Sequence, residues 1–356
     1  MHASGIGKVA LVCTSAIVTM AVLAASAIAE TRQVDVGLSQ PLTIDTSKKL
    51  KIALFVGATS DAGLKAEVDG AERKAKELGI EIDVFDAKWD PANMINQMQN
   101  ALLRDYTGWL VIAPDGNAVC DMVSKEAQKK NILVSINLVP VCGKTDGEGE
   151  ELWVPGTIAY VGGTQTPSVY RALLLQAVAD TPGEKKVGIL SGNALNPLVV
   201  NLGKVIDGIK AEHPDFNVVA KLETDWSTPQ ALEKATSMFQ AHPDINVLYS
   251  QYTTITHGAM VALQSKGLAG KVKVYENGAT KWAIAELKKG ELAATAPTYP
   301  ESNGAAGVEA LADVFAGSPI PKVILNDGAP LLPGQTAGQP AIVTLKNVDA
   351  YHPEIE

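Results

Sequence analysis

The feature that most constrains this chain is a regular alternation between short apolar runs and longer amphipathic stretches. In the first half, the apolar runs have strand length, and the stretches between them, such as Ala62–Leu78 and residues 92–103, have helical periodicity. The predicted strands of this half are residues 52–56, 82–85, 109–113, 132–136 and 158–161. Strands that alternate with helices predict an α/β fold, in which helices cover both faces of a parallel sheet.

The second half repeats this pattern. Its predicted strands are residues 187–190, 218–222, 247–249, 272–275 and 293–296. The two halves also open alike, since Lys51-Ile-Ala-Leu-Phe-Val is matched by Lys185-Lys-Val-Gly-Ile-Leu. The first helical stretch of each half then carries an Asp-Gly pair, which begins at Asp69 and at Asp207. We therefore expect two similar α/β lobes.

Helix starts are marked by a capping residue followed by proline. Asp90 precedes Pro91, and Thr228 precedes Pro229. A side-chain oxygen at the N-cap accepts a hydrogen bond from a free backbone N–H, and proline suits the first helical position. Near the C-terminus, residues 319–339 are rich in proline and glycine, which favours a crossing segment, and residues 341–345 predict one more short strand.

Residues 1–29 have the pattern of a secretion signal. Lys8 is followed by an apolar run over residues 9–25, and the small-x-small sequence that signal peptidase requires ends at Ala29. We expect cleavage between Ala29 and Glu30, which places the mature protein in the periplasm or outside the cell envelope. A retained membrane anchor is the alternative, but hydroxyl residues interrupt the run and small residues close it.

The charge and cysteine content limit the partners and the redox state. The formal net charge is −9, and the loss of Lys8 changes it to −10. Nucleic acids and anionic membranes reward clustered Lys and Arg, so neither is expected as a partner. After cleavage two cysteines remain, Cys120 and Cys142, which suggests one disulfide in an oxidising compartment. Two buried free thiols are the alternative.

Motifs for catalysis are absent from the sequence. There is no nucleophile elbow, no Walker A loop and no zinc-peptidase motif. His213 and His242 precede prolines at predicted helix ends, where a cation suits the helix dipole. Residues 139–156 carry alternating Glu and Gly but lack the ligand spacing of a calcium loop, so a surface loop is favoured. We expect a non-catalytic protein without metal or cofactor, although carboxylate pairs of a glycosidase cannot be judged from sequence.

Polar and aromatic residues cluster after the predicted strands, where open α/β sheets bind their ligands. In the first half these candidates are Thr59, Ser60, Asp61, Trp89, Asp115, Asn137, Thr164 and Gln165. In the second half they are Asn193, Asn196, Asp225, Trp226, Gln251, Tyr252, Asn277, Tyr299 and Glu301. Amides and carboxylates bind hydroxyl groups and flat aromatic faces cover C–H surfaces, so the set favours a neutral polyhydroxy compound. The alternative is structural, because Asp115, Asn193 and Thr228 are also good helix caps.

Three segments resemble type I periplasmic binding proteins of the ribose/galactose class. They begin at Asp90 (Asp-Pro-Ala-Asn-Met), at Tyr106 (Tyr-Thr-Gly-Trp-Leu-Val-Ile-Ala-Pro-Asp-Gly) and at Lys289 (Lys-Gly-Glu-Leu-Ala-Ala-Thr). The resemblance implies two Rossmann-like lobes joined by a three-crossing hinge, with the ligand cleft between the lobes. The crossings are expected near residues 163–165, 299–303 and 319–330, with the helix over residues 304–315 in the first lobe.

The resemblance also implies the domain limits and the partners. The N-terminal lobe would contain residues 30–163 and 300–320, and the C-terminal lobe residues 164–299 and 330–350. Such proteins bind a sugar or polyol by hinge closure and present it to an ABC permease; we expect a monomer. The alternatives are a receptor for a non-sugar solute such as an aromatic or signalling compound, a protein that delivers its ligand to a sensor, and, more distantly, a secreted hydrolase.

Several positions depart from the family pattern. Asn137 is followed by Leu138 where ribose-type members carry Asp-Arg, and the sugar-holding Arg expected after Asn193 is missing. Gln251-Tyr252 stands where an Asn-Asp pair is common, and Asn277 replaces a usual Asp. Amides in place of charged groups favour a polyol, a modified sugar or a less polar solute over an ordinary hexose or pentose.

Overall fold

The computed structural model describes residues 1–2, 30–145, 147–194, 196–326, 331–336 and 339–356. Most of the predicted signal peptide, residues 3–29, lies outside the described residues, as do Asp146 of the acidic loop and residues 327–330 of the predicted third crossing.

Strands and helices alternate along the described chain. The strands are β1 (Thr31–Val34), β2 (Leu42–Asp45), β3 (Lys51–Val56), β4 (Glu81–Asp86), β5 (Gly108–Ile112), β6 (Leu133–Asn137), β7 (Ala159–Gly162), β8 (Lys185–Ser191), β9 (Phe216–Glu223), β10 (Val247–Ser250), β11 (Lys273–Gly278), β12 (Ala294–Pro297) and β13 (Val323–Leu325). The α-helices are α1 (Ala62–Leu78), α2 (Pro91–Ala101), α3 (Pro167–Asp180), α4 (Pro197–Glu212), α5 (Thr228–Ala241), α6 (Thr253–Ser265), α7 (Lys281–Lys289) and α8 (Pro300–Ala316). The ten strands predicted for the two halves all form, with ends within three residues of the expected ones.

The strands form two separate parallel sheets. The six-stranded sheet has the order β13-β7-β6-β5-β3-β4 and, with α1, α2 and α8, makes the first lobe. The five-stranded sheet has the order β12-β11-β10-β8-β9 and, with α3 to α7, makes the second lobe. A small antiparallel hairpin, β1-β2, precedes the first lobe. The predicted α/β fold with two parallel sheets is confirmed.

Each sheet is buried on both faces, because neighbouring residues of a strand point to opposite sides. In the first lobe, Leu54 and Leu110 pack under one layer of helices. Phe55 and Trp109 pack under the other layer, with their rings edge to face and their centroids 5.1 Å apart. Each such fully buried side chain contributes roughly 2 kcal/mol to folding. This two-sided burial explains why the strands read as continuous apolar runs.

Helix α8 follows the second lobe in the chain but packs on the first. It crosses α1 at two glycines: a Cβ on Gly304 would lie 1.8 Å from the carbonyl oxygen of Glu67, and a Cβ on Gly70 would lie 2.0 Å from that of Glu301. No other residue permits such close backbone contact. The chain therefore returns to the first lobe through α8, as the family resemblance implied for residues 304–315.

The C-terminal segment differs from the prediction in two places. Residues 323–325 form β13, which pairs with β7, so the chain still contributes to the first sheet after residue 320. Residues 341–345 do not form a strand, and only Val343 bridges to Thr295. The side chain of Asn347 explains the second difference, because its Nδ2 donates to the carbonyl of Ile342 and its Oδ1 accepts from the N–H of Thr344. These bonds turn the chain away from the sheet edge.

Two predicted caps are one or three residues out of place. Helix α5 is capped by Ser227, whose Oγ accepts from the N–H of Gln230 at 3.3 Å, while Thr228 is the first helical residue. Helix α4 is capped by Asn196 rather than Asn193. In both cases the oxygen that reaches the second or third backbone N–H belongs to the residue directly before the first helical residue.

The structure joins Cys120 and Cys142 in a disulfide. The bond ties the chain after β5 to the chain after β6, so it braces the loops at the carboxyl edge of the first sheet. His213 and His242 are the C-cap residues of α4 and α5, which agrees with the capping role expected from their position before proline.

Candidate functional site

The two sheets share one strand order, in which the first and third strands of each lobe are neighbours in the centre. Ligands of such sheets bind outside the carboxyl ends of the strands at this point, where the order reverses. In the first lobe the point lies between β3 and β5, and in the second between β8 and β10. The loops after these four strands face a common space between the lobes.

That space is a cleft of about 770 Å³, which includes its part open to solvent. The first lobe contributes Asp61, Leu64 and Glu67 from the start of α1, and Trp89 from the loop after β4. The second lobe contributes Asn196, Leu198, Trp226 and Tyr252. Thr164, Thr298 and Asn303 lie on the segments that cross between the lobes. The walls are mostly apolar, and polar groups concentrate near the crossings.

Several predicted site residues meet in this cleft. They are Asp61, Trp89, Thr164, Gln165, Asn196, Trp226 and Tyr252. Asp61 and Asn196 also cap α1 and α4, so each has a structural role in addition to its place in the cleft wall.

Other predicted residues at the surface lie outside the cleft lining because local structure uses them. Thr59 donates from Oγ1 to Asp86 at 2.6 Å, and Asp115 accepts from the backbone N–H groups of Asn117 and Ala118. Asp225 accepts from the N–H of Ser227, and Glu301 pairs with Arg73 at 2.7 Å. Ser60 and Asn193 are exposed and do not line the cleft.

Four further predicted residues are buried behind the cleft walls. Asn137 bonds to Glu67 and to the carbonyl of Asn303, and Asn277 accepts a hydrogen bond from the hydroxyl of Tyr249. Gln251 accepts from the N–H of Gly192 and bonds to Tyr170. Tyr299 packs edge to face on Tyr351. In each case the side chain points into the lobe interior, so it orders the wall rather than forming its surface.

The two tryptophans hold corresponding positions in the lobes. Trp89 follows β4 and Trp226 follows β9, and both have a left-handed backbone, with φ of 61° and 68°. Trp226 lies so close to Gly192 that a Cβ there would be 1.9 Å from the indole, whereas Trp89 is 51% exposed. Trp226 is thus held in place against the second lobe, and Trp89 is freer at the mouth.

Carboxyl groups supply the ionisable chemistry of the cleft. Burial raises the pKa of Glu67 to about 8, with a smaller effect of the Glu354 charge. Burial also raises the pKa of Asp61, against the hydrogen bonds it accepts from the backbone of Leu64 and Gly63. Among the described residues that line the cleft there is neither Lys nor Arg. The arrangement therefore disfavours an anionic ligand.

Glu67, Thr298 and Asn303 line the cleft but were not predicted as site residues. A signal for Glu67 is present in the sequence, since Gly63, Leu64, Gly70 and Ala71 lie three or four positions away and are small or apolar. That spacing places Glu67 on the buried face of α1, where it is only 1% exposed. Thr298 and Asn303 lack such a signal in the sequence, because only the return of the chain from the second lobe to the first places them at the cleft.

The lobes touch each other around the cleft. The N–H of Ser168 on α3 donates to Glu148 of the first-lobe loop at 2.6 Å, and Asn201 on α4 donates to the carbonyl of Thr145. The hydroxyl of Tyr252 lies over Gly63, where a Cβ would be only 2.5 Å away. The structure is therefore a closed arrangement with contacts across the mouth.

The described part of the chain contains no group of three or more His, Cys, Asp or Glu residues that could hold a metal ion. None of its helices is both long enough and apolar enough to cross a bilayer.

Known proteins share this architecture. The ribose import binding protein RbsB of Escherichia coli K12 is 28% identical over 286 residues, which cover 80% of this chain and 91% of that protein. A periplasmic solute-binding protein of an ABC transporter from Actinobacillus succinogenes, solved with D-allose, aligns with a TM-score of 0.70 at 24% identity, over 85% of this chain and 100% of the other. The Caulobacter myo-inositol binding protein aligns with a TM-score of 0.71 at 20% identity, over 85% and 95%.

The family model described as a periplasmic binding protein domain matches residues 52–319. This match spans most of both lobes and the first two crossings between them, and it agrees with the resemblance found in the three sequence segments. The chain belongs to the periplasmic binding protein family, whose members are solute-binding and not catalytic proteins.

Proposed function

We propose that this protein captures a small neutral polyhydroxy compound, a sugar or polyol, and presents it to an ABC permease. One observation carries the proposal: a cleft between two lobes has aromatic and apolar walls, polar groups near the crossings, and no cationic side chain among its described lining residues. Ring faces cover the C–H surface of a polyol, while amides, hydroxyls and carboxyls bind its hydroxyl groups. Relatives that are named for ribose import or were solved with D-allose and myo-inositol support this class.

We further propose that binding works by hinge closure. The solute binds one lobe, and its contacts with the other lobe stabilise the closed arrangement. Residues 30–163 with 300–320 and residues 164–299 with 330–350 would move as the two bodies, with β13 following the first. The protein acts as a monomer in the periplasm after cleavage behind Ala29, and the permease recognises the closed shape.

A screen of thermal unfolding tests the proposal, because a specific ligand stabilises the native state in proportion to its occupancy. D-ribose, D-allose, myo-inositol and xylitol should raise the melting temperature, with glucuronate as an anionic control that does not. A calorimetric titration then gives the dissociation constant. Stabilisation by glucuronate alone, or by none of the four neutral solutes, would contradict the proposed ligand class.

A second class is a less polar neutral solute, such as an aromatic compound. The observation that favours it is the dominance of apolar side chains in the walls, including Leu64, Leu138, Val139 and Leu198. Inclusion of simple phenols and methylated cyclitols in the same screen separates the classes, since only a less polar solute gains from these walls.

A further inference from the structure

The deep part of the cleft contains a carboxyl group with one unused oxygen. Glu67 lines the cleft and is 1% exposed. Its Oε1 accepts a hydrogen bond from Nδ2 of Asn137 at 3.2 Å, and Asn137 is itself fixed by the carbonyl of Asn303 at 2.8 Å. Its Oε2 is buried and has no hydrogen-bond partner among the described residues. A buried polar atom without a partner is costly, so this oxygen calls for an external one.

A second buried oxygen in the same place also lacks a partner. Thr164, on the first crossing between the lobes, lines the cleft and is fully buried, and its Oγ1 has no hydrogen-bond partner among the described residues. Two unsatisfied oxygens therefore lie in the wall of one cleft, one on α1 of the first lobe and one on the first crossing. Their common partner would be a solute with hydroxyl groups.

The charges around Glu67 favour its protonated form. Its helix neighbours Lys65 and Arg73 are engaged by Asp69 and Glu301. The carboxyl of Glu354 adds negative charge, and the hydrogen bond from Asn137 is the one described donor to Glu67. Burial and the Glu354 charge raise the pKa of Glu67 to about 8. With Oε1 already accepting from Asn137, the proton belongs on Oε2.

We propose that Glu67 binds the solute as an uncharged carboxylic acid, which donates its proton from Oε2 to a solute oxygen, while Thr164 Oγ1 bonds a neighbouring hydroxyl. The inference rests on the proposed function and sharpens it, since it names Glu67 as the residue that recognises an uncharged oxygen of the solute in the deep part of the cleft. A cationic solute would instead require Glu67 to be ionised. The two possibilities predict opposite results for the amide replacement.

The test uses Glu67→Gln and Glu67→Met. Gln keeps an acceptor for Asn137 and places an N–H donor where the acid carries its proton, whereas Met keeps the length and removes both functions. Calorimetry with D-ribose, D-allose, myo-inositol and xylitol at about pH 7 measures affinity. We expect Glu67→Gln to stay within about threefold of wild type and Glu67→Met to bind about 30-fold more weakly. Met binding as well as wild type, or Gln as weakly as Met, overturns the proposal.

The pH dependence gives a readout that a purely structural role would not change. Raising the pH by about one unit above the Glu67 pKa of about 8 should weaken wild-type binding about tenfold, because most of the acid is then ionised. Glu67→Gln should lose this dependence. As a matched control, Glu354→Gln should keep it with a lower midpoint, because a negative charge near Glu67 is gone. A pH dependence that survives in Glu67→Gln contradicts the assignment.

A titration without any solute separates this inference from the proposed function. Carboxyl ¹³C chemical shifts of labelled Glu, assigned by comparison with Glu67→Gln, should show Glu67 ionising near pH 8. Ionisation near the ordinary Glu value overturns the uncharged acid whatever binds. If none of the four solutes binds wild type, the proposed function fails, and the carboxyl titration still decides the protonation of Glu67. Thr164→Val, which keeps the shape and removes the hydroxyl, should weaken solute binding about tenfold.

Discussion

Among the described residues, each lobe contains one carboxyl residue that is exposed by 1% or less, and the two are held in very different ways. Glu276, in the second lobe, accepts hydrogen bonds from the hydroxyls of Thr253, Thr256 and Thr295 at 2.7, 3.2 and 2.5 Å, and from the N–H of Ala279 at 3.1 Å. Glu67, in the first lobe, accepts one, from Asn137. Burial raises both pKa values, but that of Glu276 only to about 6 and that of Glu67 to about 8.

The number of hydrogen-bond donors distinguishes a buried carboxyl group with a structural role from one that can bind a solute. Four donors stabilise the charged form of Glu276 and offset much of the desolvation, so the group ties strand β11 to α6 and β12. Glu67 lacks those donors and keeps an oxygen at the cleft wall. The contrast predicts that loss of Glu276 affects folding most, and loss of Glu67 affects binding most.

The largest expected effect is on the stability of the second lobe. Glu276→Met leaves several buried donors without an acceptor and should lower the free energy of unfolding by about 4 kcal/mol. Glu67→Met should lower it by only about 1 kcal/mol, because Asn137 keeps its bond to Asn303. Urea denaturation measures both. An equal loss in the free energy of unfolding for the two variants would contradict the different roles assigned to Glu276 and Glu67.

The second largest expected effect is on the pH dependence of the free energy of unfolding, to which Glu276 and Glu67 contribute over different pH ranges. Both folded-state pKa values lie above the ordinary 4.5, so folding favours the protonated forms and the associated stability is lost as the pH rises. For Glu276 the loss falls between pH 4.5 and about 6, and for Glu67 it continues to about 8. From about pH 6 to about pH 8, wild type should lose about 2 kcal/mol. Glu67→Gln should be flat there in denaturant titrations, and a slope that persists would contradict the assignment.

The contributions of the two lobes to solute affinity can be compared by replacing the tryptophan that each lobe places in the cleft wall. Trp226→Ala removes a ring held firmly against Gly192 and should weaken solute binding about 30-fold, or about 2 kcal/mol. Trp89→Ala should cost only about threefold because that ring is half exposed. Calorimetry with the best of the four neutral solutes measures both. Trp282→Ala, at a ring that contacts His257 and does not line the cleft, is the control and should leave affinity unchanged.

A smaller effect than the loss of Trp226 is expected from a change that opposes closure. Gly63→Ala places a methyl group 2.5 Å from the Tyr252 hydroxyl across the mouth, so the lobes should close less well and bind about fivefold more weakly. Gly208→Ala is the matched control, since a Cβ there meets nothing within 4 Å. Gly208→Ala puts Ala into a helix and should stabilise folding by up to about 1 kcal/mol, whereas in Gly63→Ala the contact with Tyr252 opposes this gain. Small-angle scattering of the solute-bound protein reports the opening, and an unchanged affinity in Gly63→Ala would argue against contact at this point during binding.

The fold could be predicted well because its signals are local and repeated. Apolar runs such as residues 52–56 and 187–190 are bounded by caps and glycines, and they recur in the same order in both halves. Two strand pairs were missed: β13 with β7, which forms through a distant contact, and the hairpin of β1 with β2. The strands of these pairs have only three or four residues, too few for a pattern to be recognised in the sequence.

The candidate site could be predicted only in part, because position after a strand does not fix side-chain direction. Asn137 and Asn277 were expected after their strands but belong to β6 and β11, and their side chains point into the lobes, since direction alternates along a strand. Asp61 and Trp226 lie beyond the strand ends and line the cleft. Glu67 was overlooked because a helical Glu flanked by Lys65 and Asp69 looks like a surface residue until its small neighbours are considered.

The placement of α8 has a consequence for how the chain acquires its shape. During synthesis, the sheet strands β3 to β7 emerge from the ribosome long before the helix that covers part of their surface, because α3 to α7 and the five strands of the second sheet are translated in between. Until nearly the whole protein is made, the nascent first lobe therefore exposes surface that α8 later covers. This surface includes Leu110, which belongs to the same apolar cluster as Leu311 of α8, and Gly70, where α8 crosses α1. Neither lobe is encoded by one uninterrupted stretch, so truncation before residue 300 leaves the earlier-made lobe incomplete rather than free-standing.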